Sequence, residues 1–169
     1  MEAAEDAQRL AGKLLDALEE QVEPWQRLLD VVRAKQQALV AGDAAAIERA
    51  VTEEERLAGR LQELEAARYR LQQQLAALWG LAPGALTWDE LARRLPGRAE
   101  AVRALRRRLL DAVEALAAVN RENAALARQG LAWARFGLQA LAGAGGAVVY
   151  QRDGRLQFRP GGRAVDRAF

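Results

Sequence analysis

Apolar positions recur along this chain at intervals of three and four, a rhythm that predicts helices rather than strands. Leu14, Leu18, Trp25, Leu28, Val32 and Leu39 mark one stripe, with Gln21 and Lys35 at the seam positions between them. They predict a first helix over about 3–40. Pro24 falls inside it. A proline there removes a backbone donor and crowds the carbonyl four residues back, so a kink or break is expected. Gly42 then ends this helix and Asp43 caps the next.

The second helix, about 44–79, carries Ile47, Ala50, Glu54, Leu57, Leu61, Leu64, Arg68, Leu71, Leu75 and Leu78, stepping by three and four without a fault. So sustained a seam predicts coiled-coil-like packing, with Glu54 and Arg68 as its polar members. Residues 80–97 read as a connector. Thr87 and Glu90 have capping-box spacing and start a short helix, about 88–95, which Pro96 and Gly97 stop. A third helix over about 99–141 is about 65 Å long at 1.5 Å per residue. It has two stripes. One includes Val102, Leu105, Leu109, Leu116, Asn123, Leu126, Gly130, Trp133 and Gly137. The other includes Leu110, Val113, Asn120, Leu131, Ala134, Leu138 and Leu141. A helix with two seams can pack against two partners at once. Beyond it, Asp153-Gly154 sits between short apolar runs, the pattern of a hairpin turn. A lone hairpin is marginal in water, so 143–169 is expected to be a flexible tail.

The fold class is therefore all-α. It is an elongated antiparallel, coiled-coil-like hairpin with a long third helix, a short connector helix and the tail, forming a bundle domain over 1–142. The tight turn at Gly42 pairs helices one and two at residues whose numbers sum to about 86. That predicts a seam ion pair between Lys35 and Glu54, fixing register more than it adds stability. The same pairing sets Arg68 near Asp16 and Glu19.

Composition narrows the function. Cysteine, histidine and serine are absent, which removes disulfides, thiolate and imidazole chemistry and the usual zinc sites. Nucleophilic catalysis is therefore not expected, and neither is a cofactor or metal site. No apolar run reaches the roughly 18 residues of a membrane span. The acidic start is unlike a signal peptide, so the expected location is cytoplasmic. Residues 1–55 hold 6 basic and 13 acidic side chains, a balance of −7; the remainder holds 19 and 10, a balance of +9. The two parts can attract each other within one bundle or meet a mixed-charge partner.

Three features bear on chemistry. Arg103–Arg108 resembles a nucleic-acid patch, but no groove-reading motif or basic–aromatic interleaving accompanies it, and a solvated helix face is the preferred reading. Glu53, Glu54 and Glu55 are consecutive on a helix and point in different directions, which suits a solvated face rather than a metal cluster. The stretch "GLAWARFGLQAL" spreads Leu131, Trp133, Phe136, Leu138 and Leu141 over more than half the helix circumference. Either the kinked first helix covers this face, or it docks a partner helix; docking is preferred, with Leu126, Gly130, Ala134 and Gly137 completing the face. Asn120 and Asn123 fall on the two stripes, where asparagine is costly if buried unpaired. They form a polar layer that fixes register, with Arg68 as a candidate partner, or they mark where the internal core stops and a partner surface begins.

In sequence order, four pieces resemble the FlgN-like flagellar export chaperones. They are "WQRLLDVVRAKQQALVAGDAAAIERAVTEEERLAGRLQELEAAR" with its turn and L-E-x-x-R ending, "LTWDELARRL", "LAAVNRENAALARQGLAWARF" with N-x-x-N-x-x-L, and the tail "VYQRDGRLQF…GRAVDRAF". The resemblance implies a non-enzymatic chaperone that binds C-terminal regions of hook–filament junction proteins, prevents their premature assembly and delivers them to a component of the type III export gate. It also implies that substrate binding lies in the C-terminal region, here about 130–141 and the tail, with Trp133 the nearest match to an aromatic associated with gate docking. Neither nucleic acid nor membrane insertion belongs to this picture. Self-association of the free chain, and a coiled-coil scaffold or tether without an export role, stay open beside it.

Overall fold

The computed structural model describes the backbone of residues 2–82, 84–142, 147–150 and 156–159, and the side chains of 4–82 and 84–139. The described residues form five α-helices: α1 (Glu2–Glu20), α2 (Val22–Ala41), α3 (Ala44–Leu78), α4 (Trp88–Arg94) and α5 (Ala99–Ala142). A 3-10 turn, Pro96–Arg98, leads into α5. The strands β1 (Ala147–Tyr150) and β2 (Leu156–Arg159) pair antiparallel, Tyr150 opposite Leu156. They flank Asp153-Gly154, as the hairpin pattern predicts. Residues 143–146, 151–155 and 160–169, on which much of the flexible-tail expectation falls, lie outside those described. The chain divides into two compact units, Met1–Ala124 and Ala125–Phe169.

The expected first helix is two helices, and the break is at Gln21 rather than at Pro24. Pro24 has no N–H to offer Glu20, so α1 stops there and the proline is accommodated in the first turn of α2. Gln21 bridges the break, its N–H bonding Leu18 O and its carbonyl accepting from Trp25 N. At the next turn Gly42 adopts φ +69°, a region that favours glycine. Its N–H bonds Leu39 O while Asp43 N bonds Ala38 O, closing α2 in a Schellman pattern. Asp43 Oδ1 then accepts from Ala46 N at 2.9 Å and caps α3. Thr87 caps α4 by accepting from Glu90 N. The other half of that box does not form, because Arg93 and Arg94 engage the Glu90 carboxylate.

In the first unit one apolar cluster joins Leu14, Leu18, Val22, Leu75, Leu91, Val102, Leu105 and Leu109. A second joins Leu28, Val32, Leu57, Leu61 and Leu116. Trp25 packs against both. The heptad seam of α3 is therefore buried over its middle, with Leu75 wholly so, while Leu78 turns outward. Of the two stripes of α5 only the first is buried, and only as far as Asn123. Leu110 and Val113 of the second are exposed, contrary to a helix packed along both seams. The α1–α2 arm and α3 present one groove to α5, and the described residues offer no further helix to cover the other stripe.

Candidate partner-binding face

Near the end of the first unit the apolar core gives way to polar side chains. Lys35 Nζ donates to Glu54 Oε2 at 2.7 Å, with the two side chains 16% and 22% exposed. Gln36 Nε2 donates to Glu122 Oε2 at 2.6 Å. Asn123, 4% exposed, donates Nδ2 to Val32 O at 3.0 Å, while its Oδ1 is buried without a partner. Asn120 is exposed. The two asparagines thus part company: one pins α5 to the backbone of α2, the other faces outward. Arg68 is partner to neither. It bonds Glu65 and Gln72 on its own helix, not Asp16 or Glu19, because residues three and four away are within easy reach of a long side chain.

Asn123 is the last buried residue of α5 among those whose burial is described, and the units divide one residue later. Beyond it Leu126 is half-buried, and Gly130 and Ala134 are exposed. Leu131 is 59% exposed, Trp133 56% and Leu138 67%, values unusual for three large apolar side chains within eight residues. Phe136 and Gly137 are half-buried. Trp133 and Phe136 meet edge to face, ring centroids 6.2 Å apart. Among the described residues, a Cβ built on Gly130 or Gly137 meets nothing within 4 Å. The glycines therefore answer no packing demand from those residues, and they leave the backbone open to close approach by another group. The side chain of Leu141 lies outside the described residues. Arg128 and Arg135 are the only charged residues between Ala124 and Ala142.

Each arginine of the basic cluster on α5 faces a carboxylate. Arg103 and Arg107 face Glu100, Arg106 faces Asp89, and Arg108 faces Glu19 at 2.6 Å. Arg107 holds the Glu100 carboxyl below the usual carboxylate range. Among the three consecutive glutamates, Arg56 beside Glu53 holds its pKa at about 2, with Arg27 adding to the effect. The described residues contain no group of three or more His, Cys, Asp or Glu side chains able to hold a metal.

The profile of the FlgN protein family matches residues 1–157. The chain belongs to the FlgN family. No curated protein and no solved structure matches it. FlgN membership carries the general role of a flagellar export chaperone, which binds flagellar proteins. No described helix is long and apolar enough to cross a membrane. One feature of this FlgN-family chain escaped the sequence reading: an open apolar groove of about 620 Å³ between α2 and α3, lined by Trp25, Leu28, Leu61 and Tyr69 among others. A second α3 stripe of Val51, Ala58, Ala66 and Tyr69 signalled it, though Glu55 and Gln62 interrupt that stripe.

Proposed function

We propose that the chain captures C-terminal helical regions of hook–filament junction proteins on the α5 face formed by Leu126, Gly130, Leu131, Trp133, Ala134, Phe136, Gly137, Leu138 and Leu141. The observation carrying this reading is the exposure of Leu131, Trp133 and Leu138 on a helix whose earlier turns are buried. A junction-protein segment that is amphipathic yet unassembled exposes an apolar stripe of its own. Laying that stripe on this face removes both from water and keeps the segment from assembling early. Arg128 and Arg135, with no acidic neighbour on this stretch, favour a client helix with acidic edges. Capture takes place in the cytoplasm before export, and the loaded chaperone delivers its client to the export gate. The test is a pull-down with the full chain against isolated C-terminal segments of junction proteins. Retention of at least one segment supports the reading, and retention of none refutes it.

A second reading, a self-associating coiled-coil scaffold, is favoured by the exposure of Leu110 and Val113 on the other stripe of α5. Sedimentation separates the two. A scaffold is a stable dimer without client, whereas a chaperone forms one-to-one complexes with it.

A further inference from the structure

The far end of the first unit holds a pocket unrelated to the face on α5. It lies where α1 meets the end of α3 and the α4–α5 connection, and its volume is about 440 Å³, within the range of small-ligand sites. Leu78, Leu95 and Pro96 give it apolar walls, and Trp79, Arg94 and Arg98 line it as well. Arg94 lies over the Trp79 ring, its guanidinium carbon 5.2 Å from the centroid. Its Nε is committed to Glu90, which leaves its two terminal amino groups for another acceptor. Arg98 pairs with no carboxylate among the described residues. It reaches over Gly12, with Nη1 3.6 Å from where a Cβ on that residue would sit.

Two guanidinium groups beside an apolar wall set the chemistry of an occupant. A carboxylate makes charge-assisted, fork-shaped hydrogen bonds to arginine, and Arg is the side chain best suited to that geometry. A bare inorganic anion leaves the leucines and the proline in contact with water, and a neutral apolar molecule leaves the guanidinium groups unmatched. We propose that this pocket binds a monocarboxylate with a compact apolar body, either a free organic acid or the C-terminal carboxylate of a polypeptide ending in an apolar residue. Neither the FlgN match nor the proposed client face requires such a site.

Amide and indole NMR of the full chain tests this. The probes are 3-phenylpropionate with its neutral analogue 3-phenylpropanol, and acetyl-Leu-Phe with a free C-terminus or with a C-terminal amide. Saturable shifts of the Trp79 indole N–H and the Gly97 amide are expected with the acids. Affinity should fall by about tenfold or more for the neutral partners and for R98Q, the loss that goes with a charge-assisted hydrogen bond. Arg98 is exposed, and an unchanged melting temperature of R98Q shows that its fold is intact. Tighter binding of the free-terminus peptide than of 3-phenylpropionate assigns the site to chain ends, and the reverse order assigns it to organic acids. No saturable shift at millimolar probe, equal shifts with the neutral analogues, or full affinity in R98Q overturns the proposal.

Discussion

Replacing Asn123 by leucine tests what a buried amide does at the end of the helical core. The side chain is 4% exposed, makes one hydrogen bond to Val32 O and leaves Oδ1 unpartnered. Losing the bond costs about 0.5–1.5 kcal/mol, and removing the orphaned acceptor returns about 1–3 kcal/mol. Burying a leucine adds about 1.5–3 kcal/mol, less about 1–3 kcal/mol for fitting branched methyls where a planar amide sat. At the middle of these ranges the net is a stabilisation of about 1 kcal/mol. With an m-value of about 2 kcal/mol/M, the urea midpoint of N123L rises by about 0.5 M. N123D is the control of similar shape. It removes the donor and sets a charge against Val32 O, at a cost of about 3–5 kcal/mol near neutral pH. Burial raises the folded pKa of that aspartate above the unfolded value. Its penalty, measured against the parent chain, therefore fades as pH falls through that raised folded value and is gone below about 3.9. Unfolding is followed by far-UV circular dichroism. A loss of more than about 2 kcal/mol in N123L would refute the reasoning, because the amide would then be a fully satisfied, net-stabilising group.

The Lys35–Glu54 pair, half-buried and 2.6 Å apart at its closest, should show a coupling of about 0.5–1.5 kcal/mol in a double-mutant cycle with K35M and E54Q; additivity would remove the register role. G42A should lose about 1–2 kcal/mol in urea unfolding, since alanine resists the left-handed conformation at φ +69°, and an unchanged midpoint would contradict that account of the turn. Glu53, Glu65, Glu90 and Glu100 all have folded pKa values lowered chiefly by hydrogen bonds from arginines. Their stabilisation is full above the unfolded value of 4.5 and is lost as pH falls through the folded values, down to about 2 for Glu53. Thermal melts should therefore decline over that window, and E53Q should decline less than the parent chain.

Much of the fold could be read from residue spacing because its determinants are local. The α3 seam repeats without a fault, Gly42 and Asp43 are a turn and a cap by chemistry alone, and Thr87 marks the start of α4. Lys35 and Glu54 could be paired by counting from the turn. The misses were of a different kind. Pro24 signalled a break, but its effect falls on the carbonyl of Glu20, so the helix ends before the proline and not at it. Arg68 occupies a seam position, yet a long side chain chooses among neighbours by reach, and Glu65 and Gln72 were nearer. The second stripe of α5 looks like the first in sequence. Whether Leu110, Val113 and Leu131 are covered depends on how many helices surround them, which periodicity does not encode. The width of the apolar face around Trp133 was legible, and its exposure was the preferred of two readings of that width. Asn120 and Asn123, three residues apart and alike in type, differ in burial because their directions on the helix differ.

Client capture on α5 is tested most directly by calorimetry of the full chain and of the L131E/L138E variant against an isolated C-terminal segment of a hook–filament junction protein. Leu131 and Leu138 are exposed, so the variant should keep the helicity and melting temperature of the parent chain. The account predicts binding to the parent with a negative heat-capacity change from apolar burial, and affinity lower by about a hundredfold or more in the variant as two apolar anchors become charges. Equal affinity for the two proteins would contradict it.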